Sequence, residues 1–295
     1  MQFHGILSAV ATPFAGDTLE IDEQRLRDLV DWTIGARVHG LVVGGSTGEF
    51  PRLSADERKV LLEVVIDQTA GRVPVIAHTG SLSTTESIRL TEHAQTHGAA
   101  GILAVSPFYE RLSFPEVASF YRGVAGATSL PVIVYNVPGL TGVNLTPENI
   151  AELSASASNI EYVKDTSGDY HQVARLIHDY GDVVKTLVGW DTHLYAALLE
   201  GAAGTINGAA NFLACQLVAL AEAVETDDLA VARSTWNAIF PVLRFLLSGG
   251  YNTGVKGALD VLGASIGAPR GPISELDLTR RTELESILKV LDLNL

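Results

Sequence analysis

Eight short, nearly uninterrupted apolar runs punctuate the first two-thirds of this chain, and the longer segments between them have helical spacing. The runs span residues 6–12, 40–45, 73–79, 101–106, 131–136, 161–165, 186–190 and 204–207. Between them, the segment 21–37 sets Leu26, Leu29, Val30, Thr33 and Ile34 on one helical face, and 55–69 does the same with Val60, Leu61, Val64 and Val65. Ser54 followed by Glu57 reads as a capping box; Ser83 with Glu86, and Phe114-Pro115-Glu116, open the next helices in similar style. Strands that are apolar on both faces belong in a parallel sheet covered on both sides, and their number predicts an α/β fold closed as a (β/α)8 TIM barrel. A doubly wound open sheet is the rival, but it leaves edges and usually has fewer strands. After residue 212 the strand signal stops, and helical runs follow at 214–224, 227–247, 254–262 and 276–291. The expected organisation is a barrel over 1–212 and a C-terminal helical appendage over 213–295, packed on it.

Composition narrows the partners. With 47% hydrophobic and 18% charged residues in 295, the chain should fold compactly. A formal charge of −14 opposes binding to nucleic acid or an anionic membrane, while leaving room for a small anion at a local cluster of N–H donors. The single cysteine, Cys215, has no internal disulfide partner and lies in the apolar run NFLACQLVAL, which predicts a core residue in a reducing compartment. The start, MQFHGILSAVATPF, lacks the basic n-region and long h-region of a signal peptide, so a cytoplasmic location is expected. Asn211, Gln216 and Glu222 interrupt the longest apolar stretch, which therefore reads as a buried helix and not a membrane span.

In a barrel of this kind chemistry sits at the C-terminal ends of the strands. The sixth run, IEYVKDTSGD, delivers Lys164 into a turn of Asp165, Thr166, Ser167 and Gly168. A buried primary ammonium is costly to keep charged, which suits an amine that attacks a carbonyl; a lysine snorkelling to solvent is the plain alternative. Of the five lysines, Lys59 and Lys289 fall on amphipathic helices, Lys185 precedes a strand, and Lys256 lies in the helical appendage. Only Lys164 stands where the fold places reactive groups. The second run ends in GGSTGEF, where Ser46 and Thr47 either cradle an anion or merely occupy a tight turn. The fourth ends in SPFYE, with Tyr109 beyond the rim, and the fifth in YNVPGLTG, with Tyr135 inside the strand. A strand tyrosine is commonly core packing, but sequential strand order puts Tyr135 beside Lys164, where a phenol can relay protons. His93 and His97 share a helix face away from the mouth, without a third ligand in sequence view, and read as a solvated face, so no metal is expected. His193, near Asp191 at the end of the seventh run, is better placed to touch a substrate.

GGSTGE, YNVP and KDTSGD, in that order, resemble the dihydrodipicolinate synthase and N-acetylneuraminate lyase family of class I, pyruvate-handling aldolases. The resemblance runs from TPF near the start to the late GVKGALDVLG and RGP segments. It implies a barrel whose Lys164 forms a Schiff base with a 2-oxo acid and whose Tyr135 is the proton-relay phenol. Ser46 and Thr47 would hold the pyruvate carboxylate, with Thr47 joining the relay. Tyr109 would match the tyrosine that members lend across a tight dimer, and a homotetramer, a dimer of dimers, would be usual.

Departures from the family pattern narrow the substrate. The synthase branch has an arginine two residues beyond the proline of YNVP, which binds the second carboxylate of the aldehyde; Leu140 stands there and supplies no bidentate guanidinium. The neuraminate lyase branch has an acidic pair after the glycine of the seventh strand, where this chain has Gly189, Trp190, Asp191 and Thr192, and it has a serine where Gly208 stands. GWDTHL and NGAANF are more similar to aldolases of 2-keto-3-deoxy sugar acids. The expected reaction is reversible aldol cleavage of a 2-oxo-3-deoxy sugar acid to pyruvate and an aldehyde, with Thr166, Gly189, Asp191, Asn207 and Gly208 lining the tail pocket and no cofactor. A dehydratase or hydratase-aldolase using the same lysine, dihydrodipicolinate synthase itself, and a silent sugar-acid binding protein are the alternatives.

Overall fold

A computed structural model describes residues 2–16, 18–291 and 293. Eight parallel strands close into a barrel in sequence order: β1 (Gly5–Ala9), β2 (Gly40–Val43), β3 (Val75–His78), β4 (Gly101–Val105), β5 (Val132–Asn136), β6 (Ile160–Asp165), β7 (Lys185–Val188) and β8 (Gly204–Asn207). The intervening helices are α1 (Glu23–Gly35), α2 (Ala55–Thr69), α3 (Thr84–Thr96), α4 (Phe114–Gly126), α5 (Pro138–Thr141), α6 (Pro147–Ser156), α7 (Tyr170–His178) and α8 (Leu194–Leu199). A helical part follows: α9 (Ala210–Glu225), α10 (Leu229–Leu247), α11 (Tyr251–Val261) and α12 (Leu278–Leu288). Among the described residues, no helix is long and apolar enough to cross a membrane.

The helices begin where side chains can satisfy their free N–H groups. Ser54 and Glu57 form the expected capping box on α2, and Ser113 with Glu116 forms one on α4, where Pro115 enters the first turn without a lost hydrogen bond. Five of the strands stop sooner than their apolar runs, because the last residues of those runs already belong to the turn: β2 ends at Val43, before the glycines, and β7 at Val188.

By contact density the chain forms two compact units, one of Pro74–Ile206 with the N-terminal residues through His4, the other of Gly5–Val73 with the chain from Asn207 onward. In the first, the Phe3 N–H donates to Tyr162 Oη at 3.0 Å and the two rings lie 5.2 Å apart. The Phe3 ring fills the space beside Gly101, where a Cβ would meet its Cζ at 2.5 Å. In the second, α9 packs on β1, α1 and α10. Asn211, fully buried near its start, accepts from Ala11 N at 2.9 Å and donates to the carbonyls of Ala9 (2.8 Å) and Gly208 (2.6 Å).

Two expectations are corrected here. Cys215 is exposed, not core: α9 buries Phe212, Leu213, Ala214, Leu217, Val218 and Leu220, and Cys215 with Ala219 one turn later makes its solvent stripe. An apolar run was a poor guide because a helix with buried residues around most of its girth still has an outer edge. Val60 is likewise 42% exposed, and Leu62 takes its place in the core of α2.

Asn211→Ala strands the Ala11 N–H and the Ala9 carbonyl together, a cost of about 3 kcal/mol. The thermal midpoint should fall by about 5 °C in calorimetry. A shift within error would mean that these bonds do not hold β1.

Candidate active site

In the first unit, β5 and β6 pair so that Tyr135 is opposite Lys164 and Asn136 opposite Asp165. Lys164 is 7% exposed and Tyr135 3%. The Lys164 Nζ stands over the Tyr135 ring, 4.2 Å from its centroid. No carboxylate pairs with this amine among the described residues. Burial alone does not mark it out, since Lys256 is more buried at 4%; that lysine, however, is bound to Glu49 at 2.8 Å. An amine in an apolar pocket without a counter-ion is open to a carbonyl carbon.

The turn after Lys164 is held by a buried carboxylate. Asp165 Oδ2 accepts from Asn136 Nδ2 (2.8 Å) and Gln172 Nε2 (2.7 Å), while Oδ1 accepts from the backbone N (3.0 Å) and hydroxyl (2.5 Å) of Ser167. Asn136 in turn accepts from Leu145 N at 3.0 Å, and its carbonyl accepts from Thr166 N at 2.8 Å. These bonds fix the strand ends that carry Tyr135 and Lys164. They also set the buried Thr166 hydroxyl, which has no hydrogen-bond partner among the described residues.

Gly189, one residue beyond β7, donates its N–H to the Asp165 carbonyl at 2.7 Å and lies flush against this pocket. A Cβ there would come 2.0 Å from Thr166 Oγ1 and 2.7 Å from Lys164 Cε. Asp191 is buried, at the start of a short 3-10 turn. His193 is half-buried, edge-on to Tyr170 with centroids 5.3 Å apart and 6.2 Å from the Trp190 ring. Burial pushes its imidazole below the ordinary histidine pKa, against the opposing fields of Asp165 and Asp169.

The second unit holds the glycine-rich turn. Gly44 is left-handed (φ +67°), and a Cβ on Gly48 would press on the Val10 carbonyl at 3.1 Å, so only this composition makes so tight a bend. Glu49 is left-handed as well (φ 61°), which costs a non-glycine residue about 1 kcal/mol. Thr12 Oγ1 donates to the Gly48 carbonyl (2.7 Å), and Asn252 Nδ2 to that of Ser46 (2.8 Å). Thr47 is buried and Ser46 half-buried. A Cβ on Gly208 would lie 2.8 Å from Thr47 Oγ1 and 2.6 Å from the Tyr251 ring, and the Gly208 N–H donates to Tyr251 Oη at 3.2 Å. Asn207 is fully buried with both amide atoms unpartnered among the described residues.

Two expected residues stand apart. Tyr109 is 85% exposed, which excludes packing against the buried amine of its own chain, and Leu140 on α5 is 64% exposed. Away from these, His93 in the last turn of α3 and His97 at its C-cap stack at 3.9 Å. Residues not singled out in the sequence are Asn136, Gln172, Tyr251 and Asn252. The last two follow Gly249-Gly250 at the true start of α11, three residues before the helical spacing becomes visible.

The model of the dihydrodipicolinate synthetase family matches residues 2–291. The chain is 40% identical over 287 residues to a 4-hydroxy-tetrahydrodipicolinate synthase of Thermomicrobium roseum, covering 96% of this chain and 93% of that protein. A protein of the same name from Syntrophus aciditrophicus is 36% identical, with 97% and 98% covered. Among solved structures, a prophage protein of E. coli K12 in this synthase family, in complex with pyruvate, superposes with a TM-score of 0.94 at 34% identity, covering 99% of this chain and all of that one. A dihydrodipicolinate synthase gives 0.94 at 33%, with 98% and 99% covered.

Gly189→Ala should displace the Lys164 side chain by the better part of an ångström and slow borohydride trapping of a 2-oxo acid about 100-fold. The far-UV dichroism should stay unchanged. Trapping at the wild-type rate would show that the amine does not need this gap.

Proposed function

The chain belongs to the dihydrodipicolinate synthetase family of pyruvate-dependent Schiff-base aldolases, and we propose that it uses Lys164 to join pyruvate to an aldehyde or to release it from one. The observation that carries this reading is the buried amine over the Tyr135 ring, in strand register with it and unpaired among the described residues.

Lys164 attacks C2 of the 2-oxo acid, and loss of water from the carbinolamine leaves an iminium. In the condensing direction a proton leaves C3, the enamine attacks the aldehyde carbon, and the new C4 oxygen takes up a proton. In cleavage the same steps run backwards: the C4 hydroxyl loses its proton, the C3–C4 bond breaks and its electron pair moves into the iminium. Tyr135, with Thr47, relays these protons. Ser46 and Thr47 hold the carboxylate, which orients C3 for reaction. Thr166, Gly189, Asp191, Asn207 and Gly208 line the path of the aldehyde tail. The iminium is itself the electron sink, so the mechanism asks for no metal, nucleotide or flavin.

For the aldehyde, the names of the curated relatives favour the synthase reaction, in which the partner carries a second carboxylate. Leu140 favours a second reading, because an isobutyl side chain cannot pair with such a carboxylate. On that reading the chain cleaves a 2-oxo-3-deoxy sugar acid. Tyr109 is lent to a second copy within a homotetramer, a role supported by an aromatic side chain left 85% exposed. The lone cysteine suits a cytoplasmic, reducing setting.

Pyruvate with borohydride should label the Lys164 peptide in wild type and not in Lys164→Ala, by peptide mass mapping. Tyr135→Phe should still be trapped but lose about 100-fold or more in kcat. No label on wild type would remove the Schiff base altogether. In an assay of pyruvate with a panel of aldehydes, wild type should accept neutral hydroxyaldehydes if Leu140 decides specificity, and Leu140→Arg should shift preference about tenfold or more towards an acidic aldehyde. A wild type that prefers the acidic aldehyde restores the synthase reading.

A further inference from the structure

The late GVKGALDVLG and RGP segments have no part in the chemistry above, yet both converge on the glycine-rich turn. Lys256, on α11, meets the buried Glu49 carboxylate at 2.8 Å, and the Arg270 backbone N–H donates to its other oxygen at 3.0 Å. Lys256 also donates to the Ala268 carbonyl at 3.1 Å. The Arg270 guanidinium is tied to the carbonyls of Leu19 (2.6 and 2.9 Å) and Arg52 (3.0 Å) and to Glu57 (2.5 Å). Both cations lie over the Phe14 ring, at 4.2 and 4.4 Å from its centroid. One turn earlier on α11, Asn252 binds the Ser46 carbonyl at 2.8 Å, and Tyr251 accepts from Gly208 N. A single helix thus grips the turn at both ends, at Ser46 and at Glu49, with Thr47 between.

A buried ion pair is weak evidence for stability, since a hydrophobic replacement often serves as well. Its use here is geometric. Glu49 keeps a left-handed backbone that a glutamate does not choose freely, and its carboxylate is bound on both oxygens, so the closing residue of the turn cannot relax to an extended conformation.

We propose that α11 is the brace of the carboxylate-binding turn, with Asn252 and Lys256 as positioning residues that hold the Ser46 and Thr47 donors at the spacing pyruvate requires. The helical region after the barrel is then part of the binding apparatus. The proposal rests on the reading of Ser46 and Thr47 as the carboxylate site.

Two variants test it, Asn252→Ala and Lys256→Met, in the full chain. In both, amide hydrogen exchange at residues 46–49 should quicken about tenfold or more while exchange in β5 and β6 stays as in wild type. The pyruvate concentration that half-saturates borohydride trapping should rise about tenfold in Lys256→Met and about threefold in Asn252→Ala, with the rate at saturation within about twofold of wild type. A general loss of stability would instead quicken exchange everywhere and lower the amount of active enzyme. Should Lys256→Met fail to fold, half-buried Asn252 carries the test alone. Unchanged exchange at the turn, or unchanged half-saturation in the variants, overturns the proposal. Failure of wild type to trap pyruvate would strike the Schiff-base reading instead, and the exchange measurement would still decide whether α11 holds the turn.

Discussion

The pairing of β5 with β6 is the constraint on which the site depends. It puts Tyr135 opposite Lys164, and one residue further it puts Asn136 opposite Asp165, where a buried carboxylate takes neutral donors from the strand, the turn and α7. Side chains alternate along a strand, so a slip of one residue would set Tyr135 opposite Val163 or Asp165 instead of Lys164 and turn the amine away from the pocket. The choice of neutral partners matters. A cation in place of Gln172 or Asn136 would satisfy Asp165 equally well, but would put a positive charge beside the strand that carries Lys164. Four hydrogen bonds from amides, a hydroxyl and a backbone N–H stabilise the carboxylate without one.

The other buried carboxylate follows the opposite plan. Glu49 is met by Lys256, and Arg270 lies close by. Both lysines are nearly out of solvent, and among the described residues they differ in that Lys256 has an acidic partner and Lys164 has none. Burial therefore does not set Lys164 apart from Lys256; strand position and partner do.

How much of this was legible depended on whether the signal was local. Strand number, parallel arrangement and the order of turns follow from runs of apolar residues and from glycine placement, and all eight strands lie where those runs do. That Tyr135 would neighbour Lys164 was legible because sequential strand order in a parallel barrel pairs the fifth strand with the sixth. Cys215 was misread because its neighbours in sequence are apolar, whereas exposure is decided by helix phase. Tyr251, Asn252 and the Asp165 network could not be read from local patterns, since each contact joins distant stretches through a polar side chain that is unremarkable where it stands. Leu140 is informative in a different way: it departs from the arginine of the synthase branch within a chain that is otherwise 40% identical to a synthase. Overall similarity favours the synthase reaction, while this one side chain favours an aldehyde without a second carboxylate.

The crowding around Gly208 also bears on how such a site could change over generations. The phenol of Tyr251 already fills the volume that any side chain at 208 would need, with the Thr47 hydroxyl on the other flank. A descendant acquiring serine there would clash before it gained a hydrogen bond, unless position 251 had first become smaller. The two replacements are thus non-additive, tolerated in one order and rejected in the other. A lineage holding tyrosine at 251 is closed to single-step conversion at 208, whatever selection favours.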